Sequence, residues 1–317
     1  MEINKKFWIN KSVLVTGGHG FIGTALIAEL KKYNLKKIIN PKRSQYNLEN
    51  ELDVKKLFKK NKPDLVIHLA AKVGGIFANK KAKGDFFYKN IMIGTLVMEY
   101  SRKNNIKRFV ALAPGCGYPK KMKTKLKEVD YWKGLPDSNS LGYSMAKKML
   151  VIQSWVYREQ YNFNSSIIIP ANIYGPNDNF DLESCHVIPA LIKKFTNAKI
   201  KNEKDVIISG SGIASREFLF INDAIKSILK ITEKYDESGP INIGTGVNIK
   251  IKDLANSIKK ITGFKGKIKW DKSKSDGQIY KYYDMSLFKK KIGSFKQTSI
   301  NLGLKKTINW FQKSNSL

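Results

Sequence analysis

Tyr143 and Lys147 stand four residues apart in a 317-residue chain and form its clearest reactive pair. On a helix, residues i and i+4 share a face, so the phenol and the ammonium project to one side. A nearby cation stabilises phenolate and lowers the tyrosine pKa. Such a phenol can trade a proton with a substrate oxygen while hydride moves between carbon and a nicotinamide. A Y-x-x-x-K spacing is common, and its meaning depends on what stands around it.

A nucleotide site supplies that context. Val13-Leu14-Val15 reads as a buried strand, Gly17-Gly18-His19-Gly20-Phe21-Ile22-Gly23 as a glycine-rich turn, and Thr24 to Leu30 as a helix. Strand, turn and helix together turn a glycine pattern into a dinucleotide site. Gly17 takes the tight turn, Gly20 keeps side chains away from a pyrophosphate, and Gly23 lets helix and strand pack closely. The helix N-terminus then offers free N–H groups and a partial positive charge to the phosphates. An acidic residue at the end of the second strand usually holds the ribose of NAD. Here that strand ends Asn40-Pro41-Lys42-Arg43-Ser44. A guanidinium forks onto phosphate oxygens, so Arg43 points to the 2′-phosphate of NADP(H).

The surrounding elements alternate strand and helix, which predicts an α/β Rossmann-type fold, a doubly wound and mainly parallel sheet. Strands are expected at 36–39, 64–71, 107–112 and 166–170, and long helices at 86–104 and 143–161. Beyond about Gly175 the pattern loosens. Helices are expected at 187–195, 251–262 and 302–312, with strands at 206–208, 218–221 and 241–244. This gives a coenzyme-binding domain over residues 1–175, to which about 215–248 returns, and a smaller lobe, mainly substrate-binding, over 176–317.

Composition narrows the class further. Hydrophobic residues make up 42%, enough for a core, and no apolar run approaches the ~18 residues of a membrane span. No apolar stretch behind Met1-Glu2-Ile3-Asn4-Lys5-Lys6 suggests a secretory signal. Cys116 and Cys185 are the only cysteines, which fits a reducing cytoplasm. The formal charge of +32 raises nucleic-acid binding. The lysines are scattered in pairs, however, and read as solvated faces that would also attract an anionic sugar nucleotide. No metal-ligand spacing stands out.

Further motifs carry a resemblance. They are Ala70-Ala71-Lys72-Val73-Gly74-Gly75-Ile76, Cys116-Gly117-Tyr118-Pro119-Lys120, Asn172-Ile173-Tyr174-Gly175-Pro176, His186-Val187-Ile188-Pro189 and Arg216-Glu217-Phe218. With the glycine turn and Tyr143/Lys147 they resemble, over nearly the whole chain, the extended short-chain dehydrogenase/reductase family, and within it the GDP-L-fucose synthases. The resemblance implies a GDP-4-keto-6-deoxy-sugar epimerase/reductase. Cys116 and His186 would be the epimerisation base and acid. Tyr143 would be the proton donor for reduction at C4, and Lys147 would bind the nicotinamide ribose. It also places Asp53, Ala70, Ala71, Pro170, Asn172 and Ile173 at the coenzyme, and Lys194, Ser209, Arg216, Asp276 and Lys281 at the substrate. Such enzymes dimerise through a pair of long helices, so a homodimer is expected, with Leu96, Val97, Met98, Met149, Leu150, Val151, Ile152 and Trp155 as apolar candidates.

Three positions depart from the pattern. The family serine two residues before the catalytic cysteine is Pro114, which has neither hydroxyl nor N–H. A substrate-lobe tryptophan is Ser209, and a glycine-loop arginine is His19. Pro114 and Ser209 keep open a 4-reductase or 4-epimerase acting on another sugar. The charge keeps open a non-catalytic Rossmann-like protein that binds RNA or a protein. The coenzyme reading has a direct test. A hydrogen bond to a charged group contributes about 1.5–3 kcal/mol, so Arg43→Ala is expected to weaken NADPH binding by about tenfold or more. NADH binding, titrated in parallel, should change little.

Overall fold

The computed structural model describes residues 2–122 and 124–314. Met1 and residues 315–317, at the ends of the two stretches read above as domains, lie outside them. A short helix, α1 (Lys5–Trp8), leads into β1 (Ser12–Thr16), which is buried along its whole length. The glycine turn passes into α2 (Phe21–Leu30) with Gly20 at its N-cap. The helix therefore starts at Phe21 and not at Thr24. Glycine disfavours helix interiors, yet Gly23 lies in the first turn. A Cβ there would strike the Gly17 carbonyl and the Gly18 backbone.

The chain continues through β2 (Lys37–Ile39), α3 (Glu51–Asn61) and β3 (Leu65–His68). Asn50 caps α3, accepting from the Asp53 N–H at 3.1 Å. Next come α4 (Ile76–Lys81), α5 (Lys83–Lys103), β4 (Arg108–Leu112), α6 (Leu141–Tyr161) and β5 (Ser165–Pro170). The later part adds β6 (Asn172–Tyr174), α7 (Val187–Ile200), β7 (Asp205–Ser209), β8 (Ser215–Arg216) and β9 (Phe218–Phe220). It then runs through α8 (Ile221–Lys234), β10 (Ile241–Ile243), β11 (Ile249–Lys250), α9 (Ile251–Thr262) and β12 (Lys267–Asp271). It ends with β13 (Tyr280–Lys281), α10 (Ser286–Lys291) and α11 (Ile300–Ser314).

Six strands form one parallel sheet in the order β10-β5-β4-β3-β1-β2. Val13 pairs with Leu65, Val66 with Phe109, and Ile168 with both Leu112 and Ile241. These strands are near-continuous apolar runs because helices cover both faces. On one face α3, α5 and α6 pack in a row, and on the other α2 packs against α8. Chain order reverses between β1 and β3, so a crevice opens at their carboxyl ends, where ligands of such sheets bind. Smaller sheets stand beside it: β12 with β7, β6 with β9, and β11-β8-β13. Helix α9 packs against both α7 and α11, with Phe195 against Phe264 and Phe180 stacked on Phe311.

Of the apolar residues expected on outer faces of the two long helices, Val97, Met98, Leu150 and Val151 are buried within their own chain. The apolar surface left outside on these helices includes Phe87, Tyr88 and Val156. No helix among the described residues is long and apolar enough to cross a membrane.

The glycine turn makes the fold sensitive at one atom. Gly23→Ala inserts a methyl where backbone already sits, and overpacking of this kind costs about 1–3 kcal/mol. We expect a melting midpoint several degrees lower, read by circular dichroism, together with weakened coenzyme binding.

Candidate active site

The reactive side chains gather at the carboxyl edge of the six-stranded sheet. Thr16 ends β1, His68 ends β3, and Pro170 ends β5. Cys116 lies in a 3₁₀ turn, Gly115–Gly117, just beyond β4, and Tyr143 in the first turn of α6.

The glycine turn is built to receive a diphosphate. Gly17 has φ +70°, and a Cβ there would meet the Ala70 backbone at 2.7 Å. Gly18 would strike Asn40 and Ile27, whereas Gly20 faces nearly open space. It is therefore Gly17 and Gly23, hemmed in by backbone, whose packing demands glycine, while Gly20 leaves the approach clear. No side chain caps α2, so the N–H groups of Phe21, Ile22 and Gly23 have no partner within the helix. That arrangement fits the dinucleotide expected from the sequence. His19 is exposed beside the turn. Arg43 is 77% exposed and donates to Glu49 at 3.0 Å, so a phosphate would have to draw it from this partner. The Asp53 carboxylate accepts from the Asn47 N–H at 3.0 Å. Ala70 donates its N–H to Thr16 Oγ1 at 3.3 Å, and Ala71 is half-buried. Asn172 spends its side-chain amide on the Glu217 carbonyl, at 2.8 Å, and Ile173 is buried. Pro170 accepts from the Tyr283 hydroxyl at 3.2 Å.

Tyr143 and Lys147 do share one helix, and Tyr143 meets Phe86 edge to face at 6.3 Å. One expectation is corrected here. The phenol is pushed up, first by burial and then by Cys116, and Lys147 is not among the causes. Burial also holds the Lys147 ammonium down to about 8. The two groups are desolvated together, and the phenol keeps its proton.

Around Cys116 the structure assembles a wall of tyrosines. Tyr131 donates to the Pro114 carbonyl at 3.0 Å, and Tyr118 to Asn242 at 2.7 Å. The Tyr283 hydroxyl occupies the space a side chain at Gly115 would need. Lys281 lies within electrostatic reach of Cys116, Arg216 and His186. His186, at the N-cap of α7, is pulled down by burial and by the Lys281 ammonium. Its imidazole is therefore neutral at neutral pH. Tyr143, Cys116, Lys281, His186 and Arg216 thus form one connected group.

The remaining predicted substrate contacts are partly engaged. The Asp276 carboxylate accepts from the Ser211 N–H at 2.8 Å and its hydroxyl at 2.6 Å. Arg216 donates to the carbonyls of Ser215, Gln278 and Asp276, which stitches the 276–278 loop to β8. Lys194 donates to the Ile207 carbonyl at 2.9 Å, and Ser209 is exposed at the end of β7. A surface pocket of about 580 Å³ between the N-terminal segment, α2 and α8 contains none of these groups. Among the described residues no cluster of His, Cys, Asp or Glu is arranged to hold a metal.

Sequence reasoning passed over Glu217 as a side chain, as well as His68, Tyr131 and Tyr283. Glu217 carried little local signal, since it stands between Arg216 and Phe218 in the gap between β8 and β9. Its carboxylate accepts the N–H groups of Thr245, Gly246 and Tyr283.

Fold and site together define a Rossmann enzyme that uses a nicotinamide dinucleotide. Residues 13–244 match the NAD dependent epimerase/dehydratase family, and the chain belongs to it. It is 36% identical over 301 residues to a GDP-L-fucose synthase of Sinorhizobium fredii, covering 95% of each chain. Among solved structures, a GDP-6-OMe-4-keto-L-xylo-heptose reductase from C. jejuni superposes with a TM-score of 0.91 at 28% identity, covering 96% of this chain and 99% of that one. A GDP-L-fucose synthetase from Naegleria fowleri bound to NADP gives 0.89 at 29%, covering 96% and 94%.

The Lys147 ammonium sets a pH dependence. A lysine is charged below its pKa, so this one loses its charge as pH rises through about 8 in the free protein. An anionic dinucleotide beside it is expected to bind progressively more weakly above that pH. Fluorescence titration of NADPH from pH 6 to 10 would show this. Lys147→Met should flatten the profile.

Proposed function

We propose that this chain is an NADP(H)-dependent epimerase/reductase of a GDP-4-keto-6-deoxy-sugar, forming GDP-L-fucose. The observation that carries the reading is the convergence of Tyr143, Cys116, His186 and Lys281 beside a glycine turn shaped for a dinucleotide. The 34% identity over 307 residues to a putative Arabidopsis GDP-L-fucose synthase supports it. So does NADP bound to a structural relative.

A ketone at C4 acidifies the hydrogens at C3 and C5. In our reading Cys116 removes such a proton as thiolate, and the imidazole of His186 handles the proton on the opposite face. Lys281, between them, stabilises the enolate oxygen or a phosphate by charge. Bound NADPH supplies the hydride for C4. Tyr143, kept protonated by burial, gives its proton to the C4 oxygen as that oxygen gains charge. Lys147 holds the coenzyme ribose and steadies the phenolate left behind. Arg216 and Lys194 attract the GDP phosphates. Residues 1–175, with 215–248, form the coenzyme domain, and 176–317 mainly hold the sugar nucleotide.

The outward Phe87, Tyr88 and Val156 support a homodimer through α5 and α6. Two free thiols support a cytoplasmic setting. The paired lysines are solvated faces, not nucleic-acid contacts.

Pro114 favours a second reading, reduction of a related GDP-4-keto-sugar without the full double epimerisation. The heptose reductase likeness supports it. NMR of products in D₂O separates the two. With GDP-4-keto-6-deoxymannose and NADPH, GDP-L-fucose with deuterium at C3 and C5 is expected. Cys116→Ala should abolish the exchange, and His186→Ala should impair epimerisation. Tyr143→Phe should lower the reduction rate by about 10²-fold or more. Reduction without exchange would establish the second reading.

A further inference from the structure

We propose that Ser144 and Ser140 form a proton relay that connects the Cys116 sulfur to solvent. This rests on Cys116 acting as a carbon base. Ser144 is fully buried, and its Oγ stands 3.2 Å from Cys116 Sγ, 3.2 Å from the Cys116 carbonyl and 3.3 Å from Ser140 Oγ. Among the described residues it is the hydrogen-bond partner of that sulfur. The neighbouring tyrosines point their hydroxyls elsewhere: Tyr131 to Pro114, Tyr283 to Pro170 and Tyr118 to Asn242.

Ser140 supplies an independent observation. It occupies the N-cap position of α6, where a serine ordinarily accepts a backbone N–H of the first turn. Here its side chain makes no such bond; its hydroxyl donates to the Asp137 carbonyl at 3.4 Å and lies 3.3 Å from Ser144 Oγ, in a half-buried position. Two hydroxyls one helical turn apart therefore lead from the buried sulfur outward.

A base that takes a proton from carbon must lose it before it can act again, and epimerisation at two carbons requires this while substrate covers the cleft. The thiolate takes the C–H proton, and the C–H electron pair passes into the enolate. The S–H proton then moves to Ser144 Oγ as Ser144 passes its own to Ser140 Oγ, and Ser140 releases one to water. Run in reverse, the chain delivers solvent protons to the sulfur. A hydroxyl can serve both directions because it donates to thiolate and accepts from thiol. Ser144 follows Tyr143 by one residue, about 100° around the helix, so its hydroxyl and the phenol leave the helix in different directions. It is also distinct from the family serine missing at Pro114, since Ser144 addresses the sulfur and its own turn.

The test is deuterium uptake at C3 and C5 per NADPH oxidised, by NMR in D₂O, for wild type, Ser144→Ala, Ser144→Thr and Ser140→Ala. General acid–base groups contribute factors of 10² or more, so a severed relay is expected to lower uptake by at least about tenfold. Ser144→Thr should restore it. Ser140→Ala, which leaves the Ser144–Cys116 contacts in place, should lower it as well, an effect that a purely structural role for Ser144 would not give. Wild-type uptake in both alanine variants would overturn the relay while leaving the epimerase reading intact. Absence of uptake in the wild type would overturn that reading and the relay with it.

Discussion

The buried carboxylate of Glu217 is the constraint on which the two halves of the site depend. It is shielded from water and makes no ion pair among the described residues; backbone N–H groups of Thr245, Gly246 and Tyr283 supply its compensation. Burial raises its pKa while these bonds oppose the rise. Removing a buried charge from such donors would leave three polar groups unpaired at about 1–3 kcal/mol each. The three N–H groups belong to the segment after β10 and to the segment after β13. One carboxylate thereby fixes the end of the large sheet relative to the strand that carries Lys281. Tyr283, held at its backbone by Glu217, reaches Pro170 with its hydroxyl and closes over Gly115. Through Tyr283, Glu217 thus ties the strand that carries Lys281 to the turn that carries Cys116.

The same logic explains which parts of the molecule could be read directly from the residues. The strand–turn–helix around Gly17 was legible because its packing is local. Glycines are demanded by contacts within a few residues, or with Ala70 at the end of an equally apolar strand. The six-stranded sheet was legible for a similar reason, since strands buried on both faces are continuous apolar runs. Helix α9 carries a strongly one-sided pattern, and its expected bounds agree with Ile251–Thr262.

What escaped was long-range. Strands β8, β11 and β13 are two-residue elements with no period of their own, defined only by one another. Helix α4 was missed because two glycines precede it and nothing polar caps it. The tyrosine–lysine pair was placed correctly on one helix, but its electrostatics were not. Proximity in sequence suggested a cation lowering a phenol, whereas burial of both groups dominates and moves the phenol the other way. Burial is a property of the assembled chain and leaves little mark on five consecutive residues. Ser144 shows the same limit: its neighbour in sequence is Tyr143, but its partner in space is a sulfur 28 positions earlier.

The outer strands of the large sheet bear on how the protein survives crowding in a cell. Both edges, β2 and β10, are only three residues long, and β2 begins with an exposed lysine. Unpaired strand edges are templates for joining other chains, and short, charged edges are poor ones. With a net charge of +32, copies of the chain also repel one another at a distance. An open sheet rich in isoleucine and valine is therefore protected from amyloid-like stacking by its borders and not by its interior.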